Sequence, residues 1–87
     1  MSIDILSLRR TILLQLEAAS PASLPRSTIL VGLETAGFCM DLKELSSELD
    51  YLAQKGMITL SRSALSAGEL RAKLSADGRD YLESGEV

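Results

Sequence analysis

The sequence predicts a mainly α fold with a small β-hairpin, built as one domain. Three observations carry this expectation. The stretch 41–55 holds a leucine stripe at helical spacing between an acidic cap and a glycine. Two short stretches within 57–74 alternate apolar and polar residues in strand fashion. Two further segments ahead of them, and one behind, carry helix spacing or helix caps of their own.

The first helix is read over 4–19. Ile5, Leu8, Ile12, Leu16 and Ala19 recur at spacings of three and four, which gathers them on one side of a helix. Leu6 and Leu13 widen that side, and Leu14 falls nearly opposite it. Ser20-Pro21 stops the helix, because a residue before proline avoids helical angles and proline has no N–H. Leu24, which also precedes a proline, is extended, so Ser23-Leu24 offers a brief extended contact. Pro25 suits a helix entrance, and the second helix is read over 26–36 with Ile29, Leu30, Leu33 and Ala36 as its apolar side. Gly37 ends it in a left-handed conformation, and Phe38 turns back to the core.

The third helix is read over 41–55. Asp41 is the N-cap, with Glu44 at capping-box spacing, and Leu42, Leu45, Leu49 and Leu52 are the stripe expected to be buried. Lys55-Gly56 is the stop. The hairpin spans 57–74: Ile58 and Leu60 alternate with Thr59 and Ser61, Leu70, Ala72 and Leu74 with Arg71 and Lys73, around a small-residue tip at 63–69. Ser75 caps a closing helix at 76–83 that packs through Tyr81 and Leu82, with Gly78 allowing close approach to the hairpin; residues 84–87 are expected to fray.

The composition narrows the chemistry. With 87 residues, 46% of them hydrophobic and only Phe38, Tyr51 and Tyr81 aromatic, the chain holds one aliphatic core. Histidine is absent, which removes imidazole bases, histidine metal ligands and Ser-His or Cys-His nucleophile pairs. Cys39 is alone, which excludes an internal disulfide and suits a reducing cytoplasm; it is expected as a buried small hydrophobe. No apolar run approaches a membrane span, and the N-terminus has no secretory pattern. The expectation is a cytoplasmic non-enzyme that needs neither metal nor cofactor. Net charge is −3, where a nucleic-acid-binding domain is expected to be basic on at least one face.

Helix, helix, turn, helix, hairpin, helix is the order of a winged helix-turn-helix domain, with a three-helix core, a two-stranded wing and a short C-terminal helix. Two strings carry the resemblance. Residues 49–58, reading LDYLAQKGMI, resemble the end of that family's recognition helix and its entry into the wing. Residues 74–79, reading LSADGR, resemble the exit from the wing into the last helix. More narrowly, Arg9-Arg10 with Ile12-Leu13-Leu14, Ser23-Leu24 and the segment 30–37 resemble small winged-helix proteins of Mu-like transposable prophages, which are labelled regulators through their fold.

The resemblance implies a DNA-binding regulator of phage or prophage origin, with the second helix of the motif in the major groove. Here that helix turns Lys43, Ser47, Tyr51 and Gln54 away from the leucine stripe, flanked by Ser46, Asp50 and Glu44. Lys43, Ser46, Ser47 and Gln54 would face the groove, and Arg62, Arg71 and Lys73 on the hairpin would face the phosphate backbone of double-stranded DNA. A homodimer is implied, since one small module makes few phosphate contacts. Charge supports a rival. The third helix sets Lys43 and Lys55 against Asp41, Glu44, Glu48 and Asp50, which fits a protein-interaction module whose acidic helix and tail (Asp77, Asp80, Glu83, Glu86) meet a basic protein partner.

Other residues have plain readings. Arg71 and Lys73 on an exposed strand also discourage edge aggregation. Arg9-Arg10 is expected as a solvated pair, and Tyr51 as either a packing residue or a base-stacking platform. Leu14, Val31 and Leu65 fall outside the expected core and would mark a partner surface only if clustered.

Overall fold

A computed structural model describes residues 4–62 and 69–84. The hairpin tip at 63–68, with Leu65, and the tail at 85–87, with Glu86, lie outside the described residues. The chain is mainly helical with a small antiparallel sheet, in the order α1 (Ile5–Ala19), β1 (Leu24–Pro25), α2 (Arg26–Thr35), α3 (Leu42–Gln54), β2 (Ile58–Arg62), β3 (Leu70–Leu74) and α4 (Ala76–Ser84). The helix limits shift by one residue from those expected because Asp4, Ala36, Asp41 and Lys55 serve as caps.

Local chemistry explains the starts of α1 and α3 and the ends of α2 and α3. The Asp4 carboxylate accepts from the Leu6 and Ser7 amides and from the Ser7 hydroxyl, and those bonds, the hydroxyl's above all, hold its carboxyl below the ordinary value. At α3 the capping box closes both ways: Asp41 Oδ1 accepts from the Glu44 amide at 2.7 Å, and Glu44 Oε1 accepts from the Asp41 amide at 3.0 Å. Two helices end in the same six-to-one hydrogen-bond pattern. Phe38 N–H donates to the Leu33 carbonyl and Met57 N–H to the Leu52 carbonyl, each across a left-handed glycine, Gly37 (φ 98°) and Gly56 (φ 79°).

The sheet differs from the expected two-stranded wing. Leu24 and Pro25 add a third strand, pairing antiparallel with Ala72 and Arg71, so the order is β1-β3-β2. The extended backbone that Pro25 imposes on Leu24 lets this short connector satisfy the otherwise free side of β3. The β2–β3 register sets Ile58, Leu60 and Arg62 opposite Leu74, Ala72 and Leu70, with Thr59 and Ser61 opposite Lys73 and Arg71.

The core is aliphatic. Leu8, Ile12, Leu13 and Leu16 from α1, Ile29 and Leu33 from α2, and Leu45, Leu49 and Leu52 from α3 are almost completely buried. Ile58, Leu70, Ala72, Leu74 and Leu82 close it from the sheet and α4. Some expected core positions are instead exposed: Ile5, Leu6 and Leu42 all lie in first helical turns. Ala36 is exposed as the C-cap of α2. Cys39 is exposed too, because in the turn between α2 and α3 its neighbours Phe38 and Met40 take the inward positions.

Sheet, α3 and α4 are joined at one point. The Ser75 hydroxyl donates to the Gly56 carbonyl and accepts from Gly78 N–H, while Ser75 N–H donates to the Met57 carbonyl at 3.1 Å. A Cβ at Gly78 would lie 2.1 Å from the Met57 carbonyl oxygen, so α4 reaches the α3–β2 junction only because residue 78 has no side chain.

Two stability outcomes follow from this packing. Leu49→Ala, at a site with no exposure, is expected to cost about 2–5 kcal/mol in urea unfolding. Gly78→Ala is expected to cost about 1–3 kcal/mol by forcing α4 off the Met57 carbonyl, and a melting curve unchanged from the parent would refute that close approach.

Candidate nucleic-acid interface

The outer surface of α3 is set by its buried stripe. With Leu45, Leu49 and Leu52 inward, Lys43, Glu44, Ser47, Asp50, Tyr51 and Gln54 are exposed. Lys43, Ser47, Asp50 and Gln54 fall at spacings of three and four and form one strip. Three of the four expected groove residues, Lys43, Ser47 and Gln54, therefore share a solvent-facing line, with Asp50 among them. The Ser47 hydroxyl donates back to the Lys43 carbonyl at 3.4 Å, a weak bond that a ligand could replace.

Ser46 is used differently. It is half-buried on the side toward α2, where its hydroxyl accepts from Arg26 Nη1 at 2.6 Å and donates to the Leu42 carbonyl at 2.9 Å. It pins α3 to the entrance of α2 rather than standing on the outer strip.

The acidic charge of α3 is smaller at its surface than the residue count suggests. Glu48 Oε1 accepts from Arg9 Nε at 2.7 Å, in an ion pair whose side chains are 18% and 24% exposed respectively. The same guanidinium lies 3.8 Å from the centroid of the Tyr51 ring, and Lys55 Nζ lies 5.6 Å from it. Arg9 is thus a bridge between α1 and α3, not half of a solvated pair, and it covers a face of the ring that a base would need for stacking. Beside it, Leu6, Leu13, Leu52, Met57 and Tyr81 help line a crevice of about 60 Å³. That is far below the roughly 300–1,000 Å³ of small-molecule sites.

On the hairpin, residues directly opposite each other share a face. Thr59, Ser61, Arg71 and Lys73 therefore stand together on the face turned away from buried Leu70, Ala72 and Leu74. Arg62 pairs with Leu70 and has the opposite parity; it is exposed at the far end of β2. The three expected backbone contacts thus divide, with Arg71 and Lys73 together and Arg62 apart. Lys73 is exposed, whereas Arg71 is half-buried against the α1–α2 connector, its Nε donating to Ser23 Oγ at 2.8 Å and its Nη2 to the Ser23 carbonyl at 3.0 Å.

Among the described residues no group of three or more Asp, Glu or Cys side chains is arranged to hold a metal ion, and no helix is long and apolar enough to cross a membrane. A double-mutant cycle with Arg9→Met and Glu48→Gln is expected to give a coupling of about 0.5–1 kcal/mol that shrinks in high salt. Arg9→Met is the costlier single change because it also strips the Tyr51 ring of its cation. No family model matches the chain, and no curated protein matches it.

Proposed function

We propose that the protein is a small winged helix-turn-helix regulator that binds duplex DNA, with α3 presented to the major groove and the hairpin to the phosphate backbone. The observation that carries the reading is topological. A short strand between α1 and α2 lies antiparallel beside the last strand of the hairpin, and α2, the Gly37 turn and α3 come between them. That order supports the winged-helix reading and adds to the resemblance carried by 49–58 and 74–79.

Electrostatics supports the same reading. Asp41 and Glu44 remain charged but are held at the N-terminal cap of α3, and Glu48 is paired with Arg9, which leaves Asp50 as the one carboxylate on the outer strip of α3. The likeness to Mu-like prophage proteins extends the reading to a regulator of phage or prophage origin. Leu14 on α1 and Val31 on α2, 42% and 60% exposed, are among the exposed apolar residues that a homodimer could cover.

A second reading rests on α4, where Asp77, Asp80 and Glu83 are exposed and Arg79 is turned to Ser20, its Nη2 donating to Ser20 Oγ at 2.7 Å. That surface suits a basic protein partner. Titration of random-sequence duplex at several salt concentrations separates the two. The regulator is expected to bind with log affinity falling against log salt at a slope of about −3 or steeper. Absence of binding at low salt would discard the DNA reading in favour of the protein partner.

A further inference from the structure

We propose that Ser23 is the positioning residue that aims Arg71 within the phosphate-binding platform on the outward face of the sheet. This rests on the DNA-binding reading and specifies where the affinity resides. Neither β2 nor β3 contains an acidic residue, and their outward positions are two cations facing two hydroxyls: Lys73 opposite Thr59 and Arg71 opposite Ser61. The nearest carboxylate in the chain, Glu69, precedes β3 and is drawn toward α2, where its Oε2 accepts from the Ser27 hydroxyl at 3.4 Å.

The spacing fits a nucleic-acid strand. Residues two apart on a strand are separated by about 6.6–6.8 Å, close to the step between successive phosphates of one chain. Lys73 therefore meets one phosphate as a compact charge with the Thr59 hydroxyl beside it, and Arg71 meets the next with the Ser61 hydroxyl beside it. Arg71 differs from an ordinary surface arginine. Ser23 takes its Nε and one Nη2 hydrogen, so the guanidinium is fixed before DNA arrives, with Nη1 left to donate. Fixing the side chain in advance removes ordering entropy from the binding step. The contacts are to phosphate alone, so the platform supplies affinity and register without reading bases.

The test is fluorescence anisotropy of a labelled random-sequence duplex over a salt series, with the parent protein, Lys73→Gln, Ser23→Ala and Ser23→Thr, each checked for parental thermal melting. Lys73→Gln is expected to lower the magnitude of the salt slope by about 0.9, one phosphate's worth. Ser23→Ala is expected to weaken binding roughly three- to tenfold, as loss of one ordinary hydrogen bond does, since the bond to the Ser23 carbonyl survives, and Ser23→Thr to restore it by keeping the hydroxyl. If the parent binds and both Lys73→Gln and Ser23→Ala match it in affinity and slope, the platform is wrong while the DNA reading stands. A parent that fails to bind duplex at low salt removes both.

Discussion

The peptide units of Gly56 and Met57 hold this fold together. Four elements meet there: α3 ends, β2 begins, β3 returns and α4 starts. Met57 N–H closes α3 on the Leu52 carbonyl, and both carbonyls of the junction are taken by Ser75, the residue that follows β3 and caps α4. Buried leucines supply most of the driving force, but apolar burial is non-directional. Direction comes from these hydrogen bonds. They require a left-handed residue at 56 and an unencumbered backbone at 78, and glycine meets both conditions. With the junction set, the register of Ile58 against Leu74 follows, and with it the division of the hairpin into an inward and an outward face.

The same division governs the charged residues. Chain-wide totals give an acidic protein, and the third helix taken alone is acidic. In space, however, Asp41 and Glu44 are gathered at the cap of α3 and Glu48 is paired with Arg9, while the outward face of β2 and β3 carries cations without acids. Formal charge averages over these surfaces, while a polyanion or a basic partner responds to the field of one surface at a time. The contest between DNA and protein readings arises from this: the outward face of the sheet and the exposed side of α4 present opposite signs.

What could be read from the chain was local. Asp41 with Glu44, Gly37 before Phe38, and Lys55-Gly56 before Met57 are signals within a few residues of the geometry they produce, and helix ends follow from them. Gly78 was legible because a glycine in a short helix needs a reason. The leucine stripe of α3 gave the inward face, apart from Leu42 at its first turn. Side-chain partnerships across long separations were not legible: Arg9 with Glu48, Arg26 with Ser46 and Arg71 with Ser23 lie 39, 20 and 48 residues apart. Those pairings took Ser46 off the outer strip and Arg9 out of solvent. The extended backbone at Leu24 was legible from Pro25, but its pairing with Ala72 and Arg71 was not, and Cys39 is exposed while its neighbours Phe38 and Met40 pack against the core.

That short strand also limits what the sheet can become. A β-sheet is an open-ended polymerisation template, since each outer strand offers its unused donors and acceptors to another chain. Here the outer strand on one side is two residues long and ends in a residue with no N–H to give. Growth on that side terminates after a single step. The sheet is self-limiting there by backbone chemistry alone, whatever the side chains around it carry.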